Sequence, residues 1–200
     1  MKYILILLLM TATTCFAQDY ATQIATFRKG YMDDFLKDAN SPLKKDDLAQ
    51  LRFYDADSTY RVTAQATLLP DASTFTMPVF SGTGSQYVKY ALLKFTLQGK
   101  PMELSVYRSI ALSQNPMYSN YLFLPFTDDT NGKETYGGGR YIDLTKNDFK
   151  NGTVVIDLNK AYNPYCAFSG NYSCPKPPDE NRLPIAVNAG EKLFAGQKAH

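Results

Sequence analysis

The chain has 200 residues, with 21 lysines and arginines against 19 aspartates and glutamates, one histidine, three cysteines and no tryptophan. A net charge of +2 without a basic cluster carries no electrostatic footprint for nucleic acid and no polybasic segment for anionic lipid. The lone histidine is the terminal His200, which argues against a serine or cysteine nucleophile activated by histidine.

In chain order, Lys2 is followed by the apolar run "ILILLLM" (Ile4 to Met10), small polar residues and "CFAQ". This pattern predicts a signal peptide over residues 1–17, cut after Ala17, and hence a periplasmic or secreted protein. The run is too short to cross a membrane. A lipid anchor at Cys15 is the rival reading, and Ala12, Thr13 and Thr14 stand where a lipoprotein signal carries leucine ahead of its small residues. Residues 18–200 then form one domain of ordinary size.

Ile24, Phe27, Tyr31 and Phe35 recur near a 3.6-residue period and predict a helix over about 20–39, stopped near Asn40 and Pro42. A shorter helix is expected around Asp46 to Leu51. From Tyr60 the period changes to two: Tyr60, Val62, Ala64, Ala66 and Leu68 alternate with polar residues, as in an antiparallel strand with one wet face. "TFTMPVF" reads as a short strand, with Pro78 marking an edge or bulge. "YVKYALLKFTLQGKPMELSVY" is the clearest hairpin, turning at Gly99. "NYLFLPF" is apolar on both faces and so central in a sheet, and "RYIDL", "GTVVIDL" and "RLPIAV" supply three more strands. Asn-Gly pairs at 131–132 and 151–152 mark turns. The fold class is therefore mainly β (α+β): about eight antiparallel strands in a sandwich or open barrel, with an N-terminal helix packed on it.

The stretch "YGGGRYIDL" (Tyr136 to Leu144) invites a phosphate-binding reading, which fails on spacing. Gly132 and Gly137 are separated as in a P-loop, but Gly138 and Gly139 occupy the lysine and serine positions. A dinucleotide fingerprint would need glycine at Ile142 and a helix, not a strand, after it. A calcium loop placed on Gly132 begins at Thr127 and ends at Gly138 rather than at Asp and Glu, leaving only an irregular cation site through Asp128 and Asp129. No cofactor motif and no metal set remain. The glycines read as a turn, and Arg140 either faces a cavity and grips an anion through its planar fork or forms a structural ion pair with Glu180, Asp143 or another acid.

Cys166 and Cys174, in "CAFSGNYSC", read as a disulfide in an oxidising compartment; a zinc site would need ligands the chain does not offer nearby. They lie in a Pro-, Asn- and Tyr-rich segment from Asn163 to Pro184, long enough for a functional loop. Asp128, Asp129, Glu134, Asp143, Asp179 and Glu180 are available as acid–base groups.

"PFTDDTNGKETYGGGRYIDL" and "IDLNKAYNPYCAFSGNYSCPKPPDENRLPIAVNAGE", together with the Tyr87–Tyr107 hairpin, resemble the bacterial family catalogued as domain of unknown function 1684, over roughly residues 25 to 192. The resemblance implies an exported or lipid-anchored protein and transfers no catalytic residues. It also implies that the glycine–arginine turn and the Cys166–Arg182 loop belong together.

Three functions follow as expectations. The first is an exported binding or accessory module for a small acidic ligand, with Arg140 and Arg182 in a pocket shaped by Tyr136, Asn163, Tyr165, Glu180 and Asn181. The second is a metal-independent hydrolase or lyase using the Glu180 carboxylate, with an arginine stabilising negative charge. The third is a structural envelope protein with no cavity between the two segments.

Overall fold

The structure, a computed structural model, describes residues 2–198 and the side chains of residues 18–198. The readings attached to the side chains of residues 1–17, namely the signal peptide with its cleavage at Ala17 and the anchor at Cys15, lie outside that description, as does His200. No helix among the described residues is long and apolar enough to cross a membrane.

Helix α1 runs over Lys2–Lys37. Its apolar stripe buries Ile24 and Phe35, each worth roughly 1.5–3 kcal/mol on burial. The Lys29–Asp33 pair, at 2.7 Å and one turn apart, decorates the exposed side. The helix ends where Asp38 turns the chain: its side chain accepts from the Asn40 N–H at 2.8 Å and its carbonyl from the Ser41 N–H at 3.0 Å. A 3-10 turn at Lys45–Gln50 occupies the place of the expected second helix.

Eight strands follow: β1 (Arg61–Leu68), β2 (Phe75–Met77), β3 (Ser85–Leu97), β4 (Lys100–Ser109), β5 (Tyr121–Asp128), β6 (Arg140–Thr145), β7 (Thr153–Asp157) and β8 (Arg182–Leu183). They form one sheet in the order β6-β5-β4-β3-β1-β7, with β2 added to β3 and β8 running parallel to β5. The sheet curls into a half-barrel, the open form of the two architectures the strand pattern allowed. The β3–β4 hairpin closes through Gln98 and Gly99 at φ 52° and 74°, the two left-handed positions that suit the twist of the flanking strands. Ala91, Leu93 and Phe95 on β3 face Val106, Leu104 and Met102 on β4 and form the middle of the core.

β5 is central and buried on both faces, as its continuous apolar sequence predicts. Its Pro125 has no N–H to give, and β4 and β5 share a single registered pair, Tyr107 with Phe123. Asn181 fills the gap. Its amide donates to the carbonyls of Ser105 (2.8 Å) and Pro125 (2.7 Å), and its oxygen accepts from the Ser105 N–H (2.8 Å). "RLPIAV" pairs through only its first two residues, because Pro184 cannot continue the ladder. Ile185, Val187 and Ala189 are nevertheless buried.

Candidate ligand-binding site

Alternation along β6 decides what each of its side chains meets. Arg140, Ile142 and Leu144 point into the curled sheet, while Tyr141 and Asp143 point out of it. Arg140 is consequently fully buried. Its Nη2 donates to Asp128 at 2.8 Å and to the Val187 carbonyl at 3.0 Å; its Nη1 donates to the carbonyls of Ala189 and of Glu191 (3.3 Å for the latter). The guanidinium therefore satisfies the carbonyls of Val187, Ala189 and Glu191 in the irregular segment after β8, and it is sealed from solvent. Its acid partner is Asp128 rather than Glu180 or Asp143. The glycines before it are a turn: Gly139 sits at φ 89°, where an added Cβ would lie 2.7 Å from the Phe126 carbonyl.

The other expected site residues are scattered. Arg182 is 60% exposed and pairs with Asp129 at 2.8 Å. It does border a small pocket of about 220 Å³ with Gly137, Gly138, Lys176 and Asp179, so a cavity exists between the two segments, without Arg140. Tyr136 packs edge-on against Phe80. Asn163 and Asn181 are buried and bonded to backbone, the former to the Lys192 carbonyl at 2.8 Å, and so serve the fold. Glu180 has both oxygens engaged, one by Lys89 at 2.6 Å and one by the Tyr107 hydroxyl. Burial alone would raise its carboxyl; the bonds from Lys89 and Tyr107 outweigh that and hold it below the ordinary value. Of the acids proposed for an irregular cation site, Asp128 and Asp129 are each paired with an arginine.

The larger cavity lies elsewhere, beyond the β6 edge and beneath α1, with a volume of about 720 Å³. Phe27, Tyr31 and Phe35 of α1 form its roof, and Tyr141 and Asp143 of β6 its floor. The loop after β7 closes the side with Tyr162, Tyr165 and Tyr172, held by the Cys166–Cys174 disulfide, as the cysteine pattern predicts. Ring contacts run unbroken around the wall: Tyr172 to Tyr165 at 5.2 Å, Tyr165 to Phe35 at 5.5 Å, Phe35 to Tyr31 at 5.0 Å, Tyr31 to Tyr162 at 5.7 Å and Tyr162 to Tyr141 at 5.9 Å. Edge-on and tilted pairs at these separations are the favoured aromatic geometries.

Asp143 is the polar centre. Its Oδ1 accepts from the hydroxyls of Tyr121 (2.8 Å) and Tyr162 (2.7 Å), and no described residue donates to Oδ2. Asp143 is exposed at the cavity mouth, yet tyrosines flank it and it has no ion-pair partner among the described residues. Desolvation raises its pKa, opposed only by the two hydroxyls. Burial and the nearby carboxylate push Tyr121 and Tyr162 well above the ordinary tyrosine value, so both remain neutral donors. Behind the wall, Tyr31 donates at 2.9 Å to Glu191, which is fully buried and whose Oε1 has no partner; burial raises that carboxyl to about 7.

Such a cavity can hold a small molecule against an apolar wall and orient it through one carboxylate. Of its residues, the sequence singled out Tyr165 as a pocket residue and Asp143 as an available acid. Tyr31 looked like core, and nothing in the local pattern brings it to Tyr141 and Tyr162. The recoverable signal was parity: Arg140 shares a face with Ile142 and Leu144, and Asp143 with Tyr141.

A curled single sheet whose edge is roofed by a helix and walled by a disulfide-closed loop defines the class. The family model described as "Protein of unknown function (DUF1684)" matches residues 46–192, and the chain belongs to that family. The match starts later than the resemblance read from the motifs and leaves α1 outside it. The solution NMR structure of an uncharacterised protein of Haloarcula marismortui is similar at a TM-score of 0.67 and 33% identity, covering 88% of this chain and 95% of that one. No curated protein matches the chain.

Proposed function

We propose that the protein is an exported binding or accessory module whose ligand is a small molecule seated in the cavity beneath α1. The observation that carries this is an aromatic chamber of about 720 Å³ built around a carboxylate without an ionic partner. Gly30 adds support. It stands inside the helix on the cavity wall, where glycine costs about 1 kcal/mol relative to alanine, and a Cβ there would meet nothing within 4 Å. Any larger residue there would narrow the cavity. Export is supported by the apolar run at Ile4–Met10 and by a disulfide of the kind that persists in oxidising compartments.

Gly30→Leu tests the reading, because it places a bulky side chain on the cavity wall at a position where a Cβ meets no clash. In a thermal-shift screen of small amines, acids, sugars and peptides, a true ligand raises the midpoint of the wild type and leaves Gly30→Leu unmoved; saturation at a hundred times Kd is worth about 2.7 kcal/mol. Shifts that persist in Gly30→Leu, or a screen without any, sink the proposal and favour a structural envelope role. Hydrolysis or elimination through Glu180 has weaker support, since that carboxylate is held ionised by Lys89 and Tyr107.

A further inference from the structure

We propose that the cavity binds a small organic ammonium ion, an amine carried on an apolar body, with Asp143 meeting its charge and the tyrosine rings around Asp143 meeting its flanks. The inference rests on reading the chamber as a binding site and names its ligand class.

Charge is the first argument. Asp34 and Asp143 line the chamber and neither lysine nor arginine does. The neighbouring cations are committed: Lys37 pairs with Asp34 at 2.8 Å, and Lys160 lies over the Phe27 ring at 5.3 Å. An anionic ligand would enter against the Asp143 carboxylate with no cation of the cavity lining to offset it. A neutral ligand lying over Asp143 would displace water from the carboxylate without supplying a counter-charge. An ammonium ion removes both penalties and gains attraction to aromatic faces, about 0.5–2 kcal/mol for each well-placed ring.

Geometry is the second. Tyr121 and Tyr162 converge on Oδ1 and fix the carboxylate, so Oδ2 is the acceptor left for an incoming N–H. Tyr31 and Tyr141 both pack against Tyr162 beside it. A metal ion fits poorly: among the described residues no group of three or more His, Cys, Asp or Glu could hold one. The chamber is also far larger than a bare ammonium needs, and Phe27, Phe35 and Tyr165 offer apolar contact for the remainder of the molecule.

The groups titrating around Asp143 are Tyr121 from β5, Tyr162 from the loop, and Tyr31 and Asp34 from α1. The tyrosines stay neutral, so amine binding follows the ionisation of Asp143 and weakens as pH falls through its raised pKa.

The test titrates the full chain with 2-phenylethylamine, 2-phenylethanol and 3-phenylpropanoate, followed by calorimetry, in the wild type, Gly30→Leu and Asp143→Asn. Asparagine keeps an oxygen for both tyrosine hydroxyls, so that variant should melt within a few degrees of the wild type. The expected result is amine binding at least tenfold tighter than that of the alcohol or the acid. It should be lost in Gly30→Leu, weakened tenfold or more in Asp143→Asn, and weakened again at low pH. If the alcohol or acid binds as tightly and Gly30→Leu abolishes it, the chamber is a binding site but the ammonium assignment is wrong. Amine binding unchanged in Asp143→Asn overturns the assignment equally. If none of the three binds, or all bind Gly30→Leu as well, the ammonium assignment and the binding reading fall together.

Discussion

Arg140 and Arg182 show how position overrules residue type. Both were candidates for an anion, yet one is sealed inside the sheet with an acid and three backbone carbonyls, while the other lies open beside Asp129. Removing one partner of a buried pair leaves the other charged and unmatched, at roughly 3–5 kcal/mol, whereas an exposed pair contributes roughly 0–1 kcal/mol. Urea unfolding should therefore find Arg140→Ala destabilised by about 3–5 kcal/mol and Arg182→Ala almost unchanged. Equal effects would contradict this account. Glu191 gives a second prediction. Burial raises its carboxyl from 4.5 to about 7, opposed by bonds from Asn163 and Tyr31 and by the Arg140 charge. Between about pH 4.5 and 7 the native state keeps a proton that the unfolded chain releases. The stability contributed by this group is complete below pH 4.5 and is lost as pH climbs to about 7, on the order of 3 kcal/mol in all. Glu191→Gln should flatten that slope in a series of denaturant midpoints across pH. At this scale the sequence was legible only through strand parity. Residue chemistry alone made Arg140 look like a ligand clamp, and no local pattern marked Glu191 as buried.

Among the elements, those whose partners are adjacent in sequence were the readable ones. The helix carrying Ile24 and Phe35, the hairpin turning at Gln98–Gly99 and the doubly buried β5 all follow from periodicity and turn chemistry. "RLPIAV" looked like a full strand because its apolar content is real, but past Leu183 its carbonyls go to separate partners, Ile185 to the Asp129 N–H and Val187 to Arg140. The disulfide was legible from compartment and spacing; that its loop walls a chamber was not. Closing so short a loop restricts the unfolded chain by about 2–3 kcal/mol. The double variant Cys166→Ala/Cys174→Ala should lose stability of that order by urea titration, and any ligand of the cavity should bind it more weakly, because Tyr165 and Tyr172 lose their tether. Unchanged affinity would mean that the loop holds its shape through other contacts. For α1, Gly30→Ala should raise the melting midpoint, since it relieves about 1 kcal/mol of helix penalty into open space.

Across the whole molecule, α1 lies outside the stretch matched by the family model and yet belongs to the same folded unit. Phe35 joins Leu43, Leu51 and Phe168 in a cluster apart from the main core, and Tyr20 hydrogen-bonds to Asp157 at 2.9 Å. A chain cut to residues 46–200 should keep the sheet but unfold at lower urea, with Glu191 stripped of its Tyr31 donor; identical midpoints would show that the helix adds nothing to the fold. The candidate site was illegible from sequence for the same reason, since its roof, floor and wall are drawn from three distant stretches.

The bond between Tyr31 and Glu191 spans 160 positions, almost the whole chain. A contact of that reach closes a loop through nearly the whole sheet, at an entropic cost that the contacts of the sheet itself must first reduce. The sheet has its local hairpins to nucleate on, whereas the chamber forms only when α1 docks against β6 and the loop after β7. Occupancy of the chamber would then report that the helix has docked on the finished sheet.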